Sequence, residues 1–310
     1  MHTREMIKRI EELNERVDDY IKMAGGSSSF TLKDIVKMIV KAYRELDHIS
    51  IIISGKRGAG KTTLLAHILA HIYHDHGKPN YLRALDYIFF SPLEALNFMV
   101  ESLKEKRPLV AIGLDDAGVW LSKWFVSKQK VMFLEFTNLF RMVIGSVIYT
   151  DPGSIHKYIR QISDIRIHVE KLNEREWKEY INSIMRVDPE YAQYLVSNNI
   201  RLSVAKVYHV ATDVLDRVWI RKRAVMVFPL VLPYNFREKY DERRYEYTLD
   251  KATRLIEILL LENEIDVLEK KKKMLEAKIE RLRKLGEREV KKLMRKYRKR
   301  RRRKGDNDGG

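Results

Sequence analysis

The chain contains no cysteine, which excludes disulfides, zinc–thiolate sites and cysteine nucleophiles. Glycine (14) and proline (7) are sparse among 310 residues, so the chain is neither collagen-like nor low-complexity, and each glycine cluster becomes informative. No apolar run approaches the roughly 18–20 residues that span a bilayer. Residues 1–12 are highly charged and lack the apolar core of a signal peptide, so a cytoplasmic location is the expectation. Acid is missing from residues 291–304, which hold eleven lysines and arginines; with Asp306 and Asp308 counted, residues 291–310 carry about half of the net charge of +17. Such a block suits a polyanion: nucleic acid first, then acidic proteins or membrane surfaces. A solvated end without a partner is the plainer alternative.

What is present is a globular composition, 45% hydrophobic, long enough for one sizeable core plus an extension. In residues 4–23, Met6, Ile10, Leu13, Val17 and Tyr20 alternate at spacings of 4 and 3, an amphipathic helix. Residues 25–29 form a Gly/Ser linker, and a second helix capped by Thr31 runs to about Leu46. Strands at 49–53, 87–90, 109–114, 146–149 and 165–169 then alternate with helices at 61–74, 92–104, 130–143 and 154–162. That order predicts an α/β fold, three-layer α/β/α, with a five-stranded, mainly parallel sheet and right-handed crossovers. Residues 177–220 read as helical, residues 224–232 as one or two strands, and 240–247 as a charged aromatic stretch. One long helix follows from about Leu249. No internal repeat is visible.

The run Gly55-Lys56-Arg57-Gly58-Ala59-Gly60-Lys61-Thr62 follows the apolar strand 49–53 and fits G-x-x-x-x-G-K-[ST], the phosphate-binding P-loop. The spacing has a chemical reason. Gly55, Gly58 and Gly60 let the backbone fold around a di- or triphosphate with its N–H groups inward. The helix beginning near Lys61 adds the positive end of its dipole. Lys61 can reach the β- and γ-phosphates, the Thr62 hydroxyl can ligate Mg²⁺, and Thr63 completes the binding stretch. ATP and Mg²⁺ are the expected cofactors.

The strand at 109–114 ends in Asp115-Asp116, an apolar strand followed by acid, the Walker B pattern. Asp115 is expected to hold Mg²⁺ and Asp116 to polarise the attacking water as general base. With one βα unit between P-loop and Walker B strand, residues 30–170 resemble the additional-strand ATPases, which include AAA+ ATPases, RecA-like motors and DNA-pumping ATPases. The layout, basic and cysteine-free, is also similar to ATPases of archaeal viruses or plasmids. The resemblance implies a polar sensor at the end of the following strand, where Thr150 stands. It also implies an arginine contributed by a neighbouring subunit. Arg160 holds the matching place, with Arg141 and Arg166 as competitors. Asp115-Asp116-Ala117-Gly118 also fits the D-x-x-G of GTPases, but no N-K-x-D follows, so ATP is favoured over GTP.

Other patterns have plainer readings beside the functional ones. His67, His71 and His74 share a helix face, with His76 beyond, yet no carboxylate of suitable spacing accompanies them and the helix is due to pack on the sheet. Trp120, Lys123, Trp124, Lys128 and Lys130 interleave aromatics with cations, which suits a nucleic-acid strand or an ordinary helix packed on the core. In the long helix, Ile258, Ile265, Lys272, Ile279 and Gly286 occupy one heptad position, and Leu261, Leu268, Leu275 and Leu282 the position three residues on. Isoleucine at a with leucine at d suits a parallel two-stranded coiled coil, and hence a homo-oligomer. Packing against the N-terminal helix is the alternative.

The expected organisation is therefore an N-terminal helix (1–24), a linker (25–29), a P-loop ATPase domain (30–170), an α+β extension (171–248), a coiled coil (249–290) and a basic tail (291–310). The expected function is ATP hydrolysis coupled to DNA replication, packaging or translocation. A partner-regulated nucleotide switch on an acidic partner or membrane surface is the alternative. An assembly protein with a degenerate site fits less well, because Lys61, Thr62, Asp115 and Asp116 are all present.

Overall fold

A computed structural model describes residues 31–117, 143–151, 163–186, 188–212 and 218–305. Among them the elements run α1 (Leu32–Arg44), β1 (Ile49–Ser54), α2 (Lys61–Ile72), α3 (Tyr81–Leu85), β2 (Ile88–Phe89), α4 (Pro92–Lys104) and β3 (Leu109–Leu114). They continue with β4 (Ile144–Asp151), β5 (Ile165–Lys171), α5 (Glu174–Met185), α6 (Pro189–Ser197), β6 (Leu202–Thr212), β7 (Val218–Pro229) and α7 (Tyr234–Gly305). The chain divides into two compact units, Met1–Arg244 and Tyr245–Gly310.

The first unit is built on one seven-stranded sheet of order β2-β3-β4-β1-β5-β6-β7. Strands β2 to β5 and β1 pair parallel, while β6 and β7 continue the sheet antiparallel beyond β5. The mixed α/β sheet thus has seven strands where five were expected. The two added strands are β6, which falls within a stretch expected to be helical, and β7, which begins at Val218, ahead of the strand expected at 224–232, and joins the same sheet. β6 carries a period-two signal, with Ala205 and Val207 buried and Lys206 and Tyr208 turned to the half-exposed side. α5 and α6 precede it and have their own small core of Ile181, Ile184, Leu195, Ile200 and Leu202.

Central strands are apolar on both faces because helices cover both sides. Ile51, Ile52 and Ile53 of β1 and all eight residues of β4 are buried. Ile52, Ile112, Val147 and Tyr149 share one cluster with Phe89 and Met99. α1 begins at Thr31, whose N–H and hydroxyl both donate to the Asp34 carboxylate, at 2.8 and 2.9 Å.

Register decides which side chains gather at the C-terminal edge of the sheet. Ile53 of β1 lies beside Thr150 of β4, and Ser54 beside Asp151. Leu114 of β3 pairs with Tyr149, so Asp115 emerges next to Thr150. The loop after β1 emerges at that same edge, where ligands of open parallel sheets bind.

The second unit consists, among its described residues, of the helix α7 from Tyr245 onward. Leu261, Ile265, Leu268, Leu275 and Ile279 of the heptad seam are all exposed there. α7 itself begins at Tyr234, fifteen residues before the start expected from sequence. No helix among the described residues is long and apolar enough to cross a membrane.

Candidate nucleotide site

The loop 55–60 bends through three glycines with positive φ: Gly55 at 149°, Gly58 at 74° and Gly60 at 97°. Gly55 is also sterically required, because a Cβ there would collide with the Val169 carbonyl oxygen; one on Gly60 would meet the movable end of the Leu230 side chain, and its positive φ is what favours glycine there. Gly58 faces open space. Lys56 and Arg57 are exposed, while Ala59 is buried and its carbonyl accepts a 2.8 Å hydrogen bond from Ser203 of β6. α2 starts directly after Gly60, so its first N–H groups point into the loop.

Lys61 is 7% exposed, and its ammonium donates to the carbonyls of Gly55 (2.9 Å) and Lys56 (3.0 Å). Burial lowers its pKa, against the raising influence of the carboxylates of Asp116, Asp115 and Asp151. Thr62 donates to both Asp115 oxygens, at 3.1 and 3.2 Å. Asp115 is 1% exposed and also accepts from Thr150 Oγ1 at 2.5 Å and from the Tyr240 hydroxyl. Thr63 lies half-buried one residue further along α2.

Thr150 connects the two acids. Its hydroxyl donates to Asp115 and accepts from the Asp116 N–H at 2.8 Å, using one donor and one acceptor position. Asp116 adopts φ of 51°, a left-handed conformation that aspartate tolerates better than most residues. The carboxylates therefore diverge: Asp115 points inward, and Asp116 meets Arg244 Nη2 at 2.5 Å. Burial and the neighbouring Asp115 raise the pKa of Asp116, and Arg244 opposes the rise.

Hard oxygen donors suit Mg²⁺, and the hydroxyl of Thr62 beside the carboxylate of Asp115 is such a set. The loop's φ pattern, the helix start and Lys61 make a cradle for phosphate oxygens. Lys61, Thr62, Asp115, Asp116 and Thr150 are thus brought together. Arg160 and Arg141 lie outside the described residues, as do Trp120, Lys123, Trp124, Lys128 and Lys130. Arg166 is the second residue of β5 and turns its Nε to Ser163, at the end of the strand remote from the loop.

His67 is a core histidine. Its Nδ1 lies 2.7 Å from the Tyr81 hydroxyl and its Nε2 3.4 Å from the Pro229 carbonyl. Burial pushes its pKa down to about 4. Among the described residues no cluster of histidines and acids could hold a metal ion.

Sequence reading missed Tyr240, Arg244 and Asp151. Asp151 follows Thr150 and is buried at the same strand end. Tyr240 and Arg244 stand four and eight residues after the buried Phe236, a helical face whose signal is present in 234–247 but is masked by its charged residues.

No family model matches the chain. A curated relative, "Uncharacterized protein B-251" of Sulfolobus spindle-shape virus 1, is 28% identical over 233 residues, covering 74% of this chain and 86% of its own. Among solved structures, the genome packaging NTPase B204 of Sulfolobus turreted icosahedral virus 2 aligns in its complexes with ATP-gammaS and with AMP. The two alignments have 14% and 13% identity, a TM-score of 0.29, and cover 58% of this chain and 99% of the other. In sequence the chain is similar to the first of these, a protein of an archaeal virus.

Proposed function

We propose that the chain is a P-loop ATPase that binds ATP with Mg²⁺ and hydrolyses it to act on DNA, in packaging, replication or translocation. The observation that carries the nucleotide reading is the convergence of Lys61, Thr62, Asp115 and Thr150 at the ends of β1, β3 and β4, beneath a glycine loop that has no room for a side chain at Gly55 and takes a positive φ at Gly60. Thr62 and Asp115 hold Mg²⁺, which supplies charge neutralisation at the phosphates. Lys61 leaves the loop carbonyls for phosphate oxygens, a stronger acceptor for an ammonium. Asp116 takes the proton of the attacking water, and Thr150 positions both acids. Arg160 from a neighbouring subunit is the proposed arginine that meets transition-state charge.

The oligomer forms through the 249–285 seam, and the basic tail 291–304 binds DNA. Exposure of Leu261, Ile265, Leu268, Leu275 and Ile279 supports the seam. Domain limits are proposed as 1–24, 25–29, 30–170, 171–248, 249–290 and 291–310, with the addition that β6 and β7 extend the ATPase sheet. A partner-regulated switch is the second reading. It is favoured by one observation: Asp116 is engaged by Arg244, an arrangement that suits slow basal turnover.

The test is the ATPase rate of the full chain and of a chain ending at Glu289, with and without single- and double-stranded DNA. Stimulation by DNA that disappears with the tail supports the DNA reading. Slow turnover indifferent to DNA favours the switch.

A further inference from the structure

The start of α7 is fastened to the ATPase core by contacts with no direct part in phosphate chemistry. Phe236 is fully buried, edge-on to Tyr81 and stacked with Tyr240. Tyr240 in turn lies against Phe90, ring centres 5.3 Å apart. Arg243 donates to the carbonyls of Leu85 (2.6 Å) and Ile88 (3.2 Å), at the end of α3 and the start of β2. These anchors fix the helix so that the next two polar tips reach the acids. The Tyr240 hydroxyl reaches Asp115 Oδ2, and the Arg244 guanidinium reaches Asp116.

We infer that Tyr240 and Arg244 tune the nucleotide site: Tyr240 positions Asp115 and competes with Mg²⁺ for it, and Asp116 competes with the γ-phosphate for Arg244. The inference rests on the ATP–Mg²⁺ reading above. Its chemistry is a matter of lone pairs. Thr150 donates to Asp115 Oδ1 and Tyr240 to Oδ2, and the single Thr62 proton is shared between the two oxygens at 3.1 and 3.2 Å, so three hydroxyl protons already crowd the carboxylate and the Tyr240 proton is the one held by Oδ2 alone. A cation or its bound water needs one of those positions. The phenol is 5% exposed and donates a proton toward the place where positive charge must sit. Mg²⁺ therefore binds at the expense of the Tyr240 hydrogen bond. Arg244 is in a different position. Its planar fork prefers a phosphate to a single carboxylate oxygen, so a third phosphate draws it from Asp116 and releases the base. ADP offers no such group. Arg244 thus makes the site distinguish triphosphate from diphosphate, and Tyr240 sets how much Mg²⁺ the site demands.

The test is equilibrium binding of fluorescent mant-ATP and mant-ADP to the full chain, titrated with Mg²⁺, for wild type, Tyr240→Phe, Arg244→Gln and Arg244→Lys. Phenylalanine keeps the stacked ring and removes only the donor. Tyr240→Phe should lower the Mg²⁺ concentration for half-maximal mant-ATP binding several-fold and leave binding in EDTA unchanged. An unchanged or raised Mg²⁺ requirement overturns the role given to Tyr240. Arg244→Gln should weaken mant-ATP about tenfold with mant-ADP unchanged, and Arg244→Lys should restore part of that preference. Equal effects on both nucleotides, or none, overturn the role given to Arg244. If wild type binds neither nucleotide, with or without Mg²⁺, the nucleotide reading fails and this inference falls with it. If wild type binds and the variants behave like it, this inference alone fails.

Discussion

The floor and the cover of the nucleotide site are made in opposite ways. The floor is eight consecutive residues, Gly55 to Thr62, whose conformation follows from glycine φ values and a helix start. The cover is assembled from residues far along the chain: Ser203 on the Ala59 carbonyl, Leu230 over Gly60, Tyr240 and Arg244 on the two acids. Asp115 and Tyr240 are 125 residues apart in sequence. A contiguous site can be recognised by its spacing. A distributed one exists only after β6 and β7 have joined the sheet and α7 has been delivered to its edge. The floor is therefore the part whose proposed phosphate chemistry follows from local spacing, and the cover is the part that depends on the whole fold.

The largest expected effect attacks the floor. Lys61→Ala removes the ammonium proposed to meet the phosphates, and steady-state hydrolysis should fall by roughly a hundred- to a thousandfold, the order assigned to a preorganised electrostatic contact. Undiminished turnover would remove the P-loop assignment.

Phe236→Ala attacks the cover instead. It deletes a fully buried ring and should destabilise the first unit by about 3–5 kcal/mol, read as a shifted denaturant midpoint. A change below about 1 kcal/mol would mean that α7 does not hold the cover in place.

The third prediction uses pH. His67 is buried and neutral, with its pKa lowered to about 4 against 6.5 when unfolded. The unfolded chain binds more protons between those values, so this contribution to stability is complete above about pH 6.5 and is lost as pH falls toward 4. Integrated over that window, the lost stability is about 3 kcal/mol. Chemical denaturation at pH 7 and pH 4.5 measures it, with His67→Gln as control. An equal loss in that variant would assign the pH dependence to other groups.

The smallest effect concerns the seam between floor and cover. Ser203→Ala leaves the buried Ala59 carbonyl without its side-chain donor and should cost about 1–3 kcal/mol. It should weaken nucleotide binding only in proportion to the lost order of the loop. An unaltered melting temperature would show that β6 merely abuts the loop.

Much of this was legible in the sequence for local reasons. The apolar runs at 49–53 and 109–114 flank glycines and end in acids, and both features survive as β1 and β3 with the loop and Asp115 after them. Thr150 was legible as a strand end, and the parallel register beside Ile53 makes it a neighbour of Asp115. β6 was not, because Lys206 and Tyr208 alternate with the buried Ala205 and Val207, leaving no continuous apolar run, and its pairing partners lie in β5 and β7. The early start of α7 was hidden similarly: its side toward the acids carries the buried Phe236 and Tyr240 and the exposed Arg244, two of them polar-tipped residues that read as solvent-facing.

The sequence by itself determined the phosphate loop, the paired acids and their strand positions. Glycine conformational freedom, strand hydrophobicity and helix-terminus polarity are properties of neighbouring residues. Only the tertiary structure decided which side chains face those groups. A tyrosine says nothing of its partner until burial removes water from both, as at Tyr240 and Asp115, and only then does the cost of an unmatched donor or charge select one arrangement.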